Sequence, residues 1–341
     1  MLQNMKHLDL KIEAFLKLGE YLRKKNIDST LHSLILKTQN NNRWFVYKNY
    51  VNALKIWGDT LRKENILKWS SKYNFAYKKS KKIGIIMAGN IPIVGFHDLM
   101  CLLFTNHIGI IKTSSSDPFL IPFLYNKLVE FEPKLAERVI FKKKIDFVDA
   151  IIATGNNISI KHINEKFRLY PSILRGTRSS IAILNGKESI EDLKLLSNDI
   201  LTYFGFGCRS ITKIYVPYKY DFTLLKKILK EKSESITLIE YLNNFKKNKA
   251  INEIIKNNFH IAGKLIIIES KNINAEISSI NYEYYSNMDW INKEIESRIK
   301  SIQCMVGNVN KVNFVKFGEA QKPNLWDYAD NIDTVEFLLS L

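Results

Sequence analysis

KKIGIIMAGNIP, residues 81–92, decides the reading of the chain. Its β-branched isoleucines run together without polar alternation, as in a strand buried on both faces, and Gly89, Asn90 and Pro92 then stop the strand. Four similar runs follow: HIGIIKTS from His107, ERVIFKK from Glu137, DAIIATG from Asp149 and SSIAILNG from Ser179. Segments of crossover length separate them, so the spacing predicts five strands of a parallel sheet with helices on its faces. Breaks after the first, second and fourth runs fall at carboxyl ends of strands, where open α/β sheets bind ligands. Ahead of the sheet, Leu8, Ile12, Phe15, Leu16 and Leu22, then Val51, Leu54, Trp57 and Leu61, recur at helical spacing, so residues 1–80 read as a helical entry.

Beyond Gly186 the pattern begins again. A helix with Ile190, Leu193, Leu196, Ile200, Leu201 and Phe204 on one face runs into Gly205-Phe206-Gly207-Cys208. SITKIYVP, KLIIIES and ISSINYEYY read as strands, the Lys-rich stretch to about residue 260 as helical, and residues 289–300 as a helix before SIQCMVGN. This predicts two lobes: 1–186, a helical segment plus a cofactor-binding lobe, and 187–316, a second α/β lobe, with 317–341 returning to the first. A chain of 341 residues exceeds what one core usually supports.

Apolar residues make up 46% and charged residues 25%, as in an ordinary globular protein. The formal charge of +17 raises a nucleic-acid reading, but only nine of the 51 basic residues are Arg, and Lys, Asn and Ile abound together as in AT-rich coding. Base and phosphate readers favour Arg forks, so no nucleic-acid partner is expected. Cys101, Cys208 and Cys304 are too few and too scattered for a disulfide framework or a zinc site, and no metal is expected. A secretory leader pattern is absent, and no uncharged apolar run reaches the roughly 18 residues of a membrane span, so the expectation is a cytoplasmic protein without an integral membrane segment.

Cys208 lies between a helix and a strand, preceded by Gly205 and Gly207 and followed by Arg209, whose charge would favour a thiolate. A nucleophile and an inert buried cysteine are both open readings, whereas Cys101 in MCLLF and Cys304 in SIQCMVG read as core. Lys112, with Ser114 and Ser115 just beyond it, offers a cation and hydroxyls to ribose or phosphate oxygens, or is a solvated lysine. Gly155-Asn156 is a ligand loop or a plain turn. His97 reads as packing rather than as a base. The dinucleotide fingerprint G-x-G-x-x-G does not follow the first strand, and no paired carboxylates or Ser/His/Asp order stand out.

In order, GNIP, IIKTSSSDP, ATGN, RGTRSSIAIL and FGFGCRSITKIYVP resemble the aldehyde dehydrogenase superfamily, and within it the acyl-CoA reductases related to the fatty-acid reductase of bacterial luciferase systems. The resemblance spans roughly residues 80–335. It implies an α/β, aldehyde-dehydrogenase-like two-lobed fold, with a Rossmann-like parallel sheet for the cofactor and a smaller α/β catalytic lobe. It further implies Cys208 as nucleophile, Asn90 as a donor to the oxyanion, Lys112 at the adenosine ribose, and Gly155-Asn156 at the pyrophosphate or nicotinamide side. Ser115 stands where many NAD-preferring members carry a glutamate, which makes NADPH the expected cofactor. Arg175 stands where aldehyde-oxidising members keep the glutamate that activates water, so the acyl-enzyme is expected to escape hydrolysis and be reduced.

The activity implied is reduction of a long-chain fatty acyl-CoA to its aldehyde. The alternatives are an acyl-phosphate or acyl-carrier-protein thioester donor, for which a basic surface also suits, or a catalytically silent binding protein. The closing stretch FGEAQKPNLWDYADNIDTVEFL also resembles the end of these reductases, and reads as folding against the cofactor lobe or as a subunit contact. A chain shorter than the superfamily's usual length leaves a homo-oligomer with a trimmed interface open.

Overall fold

The computed structural model describes residues 2–75, 79–308 and 314–341, the side chains of 2–6 excepted. It divides into two compact units, residues 1–176 with 324–341, and residues 177–323.

In the first unit α1 (Leu2–Arg23), α2 (Ser29–Asn41), α3 (Tyr47–Thr60) and α4 (Lys63–Ser70) precede the sheet. The strands are β1 (Lys82–Ile86), β2 (Ile108–Lys112), β3 (Val139–Phe141), β4 (Ala150–Thr154) and β5 (Ser172–Arg175). They pair in the order β3-β2-β1-β4-β5, every pair parallel. Crossovers run through α5 (Phe96–Phe104), α6 (Leu120–Phe131) and α7 (Asn157–Phe167). Ile83 and Ile85 of β1 and Ile151 and Ile152 of β4 are fully buried, which is why these strands show no polar alternation. The chain builds one side of the sheet from β1 through β3 and then the other from β4, so the carboxyl ends of β1 and β4 flank a topological switch point.

The fifth strand of this sheet is SILR, not SSIAI. Ile151 N donates to Pro171 O at 3.0 Å, and Thr154 pairs with Arg175. SSIAI is instead β6 (Ser179–Ile183), which pairs with β7 (Ile211–Pro217) and β11 (Ile302–Val306) in the second unit. A buried apolar run specifies a strand and not its partner, and the four residues of β5, set between Pro171 and Gly176, carry little pattern of their own.

A return segment closes the first unit and ends in α12 (Thr334–Ser340), which packs on α5. Buried Trp69 donates from Nε1 to the Tyr328 hydroxyl at 2.6 Å, and Tyr73 donates to Asp333 Oδ2 at 2.6 Å. Tyr328 is thereby left to donate to the Tyr73 oxygen, 2.7 Å away, and all four groups are satisfied in one direction. His107 Nδ1 accepts from Lys81 N at 3.1 Å, which leaves Nε2 to donate to Leu338 O at 2.8 Å.

The second unit holds a seven-stranded sheet in the order β12-β11-β6-β7-β10-β9-β8, with β8 (Phe259–Ala262), β9 (Leu265–Glu269), β10 (Ser279–Tyr285) and β12 (Phe314–Val315). Only the β8–β9 pair is antiparallel. Strand β8 begins where the sequence suggests helix. On one face of the sheet α8 (Ile190–Leu201) and α9 (Thr223–Glu234) bury Leu193, Leu196, Leu225 and Leu229 against Ile214 and Ile280. Elsewhere Ile291 of α11 (Met288–Arg298) packs with Ile181, Ile183, Tyr215 and Met305. Ser189 and Asp192 form a capping box that starts α8. α10 (Ile239–Ile254) completes the unit. No helix among the described residues is long and apolar enough to cross a membrane, and no described cluster of His, Cys, Asp or Glu is set to hold a metal.

Candidate active site

Between α8 and β7 the backbone reverses abruptly. Tyr203, Phe204 and Gly205 take φ of 55°, 57° and 84°, three left-handed residues in a row. Such a conformation costs a non-glycine residue about 1 kcal/mol or more and persists only where the surroundings hold it. Tyr203 is buried, and the Phe204 ring lies 5.9 Å from that of buried Tyr241 on α10. Cys208 follows in a turn closed by Ser210 N donating to Gly207 O at 2.9 Å. Its carbonyl accepts from Ser180 Oγ of β6 at 2.8 Å. The Cys208 thiol is half-buried, whereas Cys101 and Cys304 are buried. Burial pushes the Cys101 thiol well above the ordinary range, consistent with an inert core residue. Arg209 turns its guanidinium to the Ala320 carbonyl through Nε and to Cys304 Sγ, 3.5 Å from Nη2.

Asp199, 1% exposed on α8, accepts from the backbone N–H of Gly318 at 2.6 Å and of Ala320 at 3.1 Å. Burial pushes its carboxyl up to about 6 from the ordinary 3.8, against the pull of those two donors. A folded-state value above the unfolded one favours the neutral acid, so this stabilisation is present below pH 3.8 and is lost as pH rises through about 6. Roughly 3 kcal/mol should disappear from the unfolding free energy of the native protein relative to Asp199→Asn across that window. Denaturant titrations of both proteins at successive pH values check this, and a difference flat with pH refutes it.

The residues expected at a cofactor lie at strand ends in the first unit. Lys112 ends β2 and is exposed, while its carbonyl accepts from Met87 N at 3.0 Å. Gly89 permits the loops after β1 and β2 to touch, because a Cβ there would lie 2.1 Å from Ser114 Oγ. Ser114 Oγ accepts from Ser116 N at 3.2 Å, and exposed Ser115 gives its carbonyl to Asn41 Nδ2 at 2.7 Å. Asn90 is exposed in the loop after β1. Asn156 is the N-cap of α7, its side chain accepting from Ser159 N at 2.8 Å, and Gly155 N donates to Arg175 O at 3.1 Å. An exposed ammonium and hydroxyls beside a glycine-dependent loop contact fit ribose and phosphate oxygens. The Asn156 side chain is occupied in capping.

Arg175 is 3% exposed and forks onto Asp98, Nη1 lying 2.8 Å from Oδ1 and 2.9 Å from Oδ2, while Nη2 donates to Thr334 Oγ1 at 2.7 Å. Burial works against the Arg175 charge, but the Asp98 carboxylate outweighs it and raises its pKa above the ordinary arginine value. His97, next to Asp98, stacks on Tyr328 at 5.1 Å with Nε2 3.0 Å from Leu325 O, and burial lowers its pKa. It is a packing residue. Sequence reasoning assigned no role to Asp98, Thr334, Asp199 or Ser180. Asp98 had a signal, since a carboxylate in the otherwise apolar helix FHDLMCLLF must find a partner.

Among solved structures the fold resembles an indole-3-acetaldehyde dehydrogenase complexed with NAD+, at TM-score 0.63 and 11% identity, covering 91% of this chain and 72% of that one. A Mycobacterium tuberculosis aldehyde dehydrogenase complexed with NAD+ matches at TM-score 0.64 and 12% identity over 91% and 74% of the two chains. The fold is that of the aldehyde dehydrogenases. Among curated proteins, long-chain acyl-protein thioester reductase 2 of Photobacterium leiognathi is 28% identical over 159 residues, 42% of this chain and 33% of that protein. The long-chain acyl-protein thioester reductase of Aliivibrio fischeri is 25% identical over 158 residues, 41% and 33%. The matches span about a third of the length of these relatives. The family model described as Acyl-CoA reductase (LuxC) matches residues 59–239, more than half of the chain and including the Cys208 turn, and the chain belongs to that family.

Proposed function

We propose that this protein reduces a long fatty-acyl group, carried as a thioester on a protein, to the aldehyde by way of an acyl-Cys208 intermediate. The observation that carries the reading is a half-buried cysteine presented by a strained, side-chain-held turn in a chain of the acyl-CoA reductase family. The names of the curated relatives favour a protein-borne thioester over acyl-CoA.

In this mechanism the Cys208 thiolate attacks the acyl carbonyl carbon, a new C–S bond forms, and the carrier leaves as a thiolate that takes up a proton. A nicotinamide cofactor, when bound, supplies the hydride that the acyl carbon needs. Collapse of the resulting thiohemiacetal breaks the C–S bond, releases the aldehyde and returns the Cys208 thiolate. Lys112, Ser114 and Ser115 are the residues proposed to hold the cofactor, Lys112 and the two hydroxyls being suited to ribose and phosphate. Gly155-Asn156 enters only as the turn beside it, and Asn90 enters as oxyanion donor on the sequence resemblance alone. Arg175 cannot accept a proton and is held by Asp98, so it offers water no base.

Aldehyde formation measured with one acyl chain on a carrier protein and on CoA tests the donor. The carrier-borne substrate is expected to give the higher kcat/KM by about tenfold or more, equivalent to about 1.4 kcal/mol. The reverse ratio assigns the donor to CoA, and no aldehyde from either removes the proposal. Titration with both dinucleotides is expected to show tighter NADPH binding, because Ser115 presents no carboxylate to a 2′-phosphate. Preference for NADH overturns that assignment.

A further inference from the structure

FGEAQ, residues 317–321, has no part in the chemistry above, yet its polar groups converge on the turn that carries Cys208. We infer that this segment is a positioning clamp for the nucleophile turn, with Asp199 as its anchor. The inference rests on the reading of Cys208 as the nucleophile.

The segment is fixed on one side by packing. Phe317 and Ala320 are buried in the core cluster that contains Leu193 and Leu196 of α8. Gly318 has φ of 84°, and a Cβ there would lie 2.8 Å from Leu195 Cδ2, so only glycine lets the chain pass this close to α8. Asp199 then receives both Gly318 N–H and Ala320 N–H. A carboxylate is suited to this double duty, whereas asparagine has a single side-chain oxygen and would turn an N–H toward one donor.

On its other side the segment grips the turn. The Ala320 carbonyl accepts from Arg209 Nε, and Gln321 Nε2 donates to Ser210 Oγ at 3.2 Å. Across the turn, Ser180 Oγ donates to the Cys208 carbonyl at 2.8 Å. Cys208 is thus bracketed, its carbonyl tied to β6 and its next two residues tied to 320–321. The left-handed residues just before it would relax toward commoner geometries without such restraint. The Arg209 guanidinium is spent on this grip, with Nε on the Ala320 carbonyl and Nη2 3.5 Å from Cys304 Sγ. Asp199, Arg209 and Gln321 are therefore positioning residues that act through the turn.

Hydrogen exchange and thiol alkylation of the full chain, both read by peptide mass mapping, test the clamp. In Asp199→Asn the amides of residues 207–211 are expected to exchange about tenfold faster, while those of α9 and β9 keep their native rates. Gln321→Ala should do the same more weakly, and it carries this arm if Asp199→Asn does not fold. Iodoacetamide should label Cys208 about fivefold faster in Arg209→Gln, because the turn released from Ala320 exposes the half-buried cysteine more often, with recovery to within twofold in Arg209→Lys, which can still donate to the Ala320 carbonyl. Unchanged exchange at 207–211 in the folded variants, exchange accelerated uniformly across residues 177–323, or native alkylation in Arg209→Gln overturns the inference. Neither readout uses an acyl donor, so the clamp and the proposed reaction fail or survive separately.

Discussion

Cys208→Ala is expected to form no covalent acyl adduct and to lose aldehyde production by about 10³-fold or more, the scale on which an enzyme loses a covalent nucleophile. A radiolabelled long-chain acyl thioester incubated with the native protein should leave a hydroxylamine-labile label on the peptide containing Cys208. The variant keeps the Ser180 bond to the residue-208 carbonyl, so the turn is expected to fold. Cys101 and Cys304 are buried, so they should not substitute for the missing thiol. A label that persists in Cys208→Ala, or that never forms in the native protein, sinks the mechanism.

Breaking the Arg175–Asp98 pair should have the largest effect on stability. Asp98→Ala leaves a buried guanidinium whose Nε already has no hydrogen-bond partner among the described residues. Removing one partner of a buried pair typically costs about 3–5 kcal/mol, equivalent to a fall of roughly 10 °C in Tm for a unit of this size. Replacing both partners, as Asp98→Leu with Arg175→Met, should recover most of that loss, since well-packed apolar side chains substitute for buried pairs at little cost. Arg175→Glu is informative in another way. It places a second carboxylate against Asp98, and the expected outcome is destabilisation of about 3 kcal/mol or more rather than a gain of thioester hydrolysis. Thermal unfolding followed by circular dichroism measures all three, and a loss below about 1 kcal/mol in Asp98→Ala would falsify the account of Arg175 as a buried strut.

These two residues mark how far the sequence could be read. Cys208 was legible as a candidate nucleophile because its signal is local: glycines before it, an arginine after it, a helix ending and a strand beginning. The runs IGII, IGIIK and AIIAT were legible as strands for a similar reason, as burial on both faces excludes polar residues from the run itself. SSIAI was equally clear as a strand but was placed in the wrong sheet, since membership depends on hydrogen-bond partners that the run does not name. Strand β8 was missed because three of its four residues are partly or fully exposed and they follow a polar helix.

For Arg175 the sequence resemblance implied only that an arginine stands where aldehyde-oxidising members of the superfamily keep a base. What it does there is set by Asp98, 77 residues away, and Thr334, 159 residues away. Asp199 likewise meets Gly318 across 119 positions. Local composition and periodicity determined the α/β character, the strands and the candidate nucleophile, because backbone sterics and burial act over a few residues. Tertiary structure alone decided the partners of the buried charges, because a buried Arg or Asp is stabilised by whatever group packing brings to it.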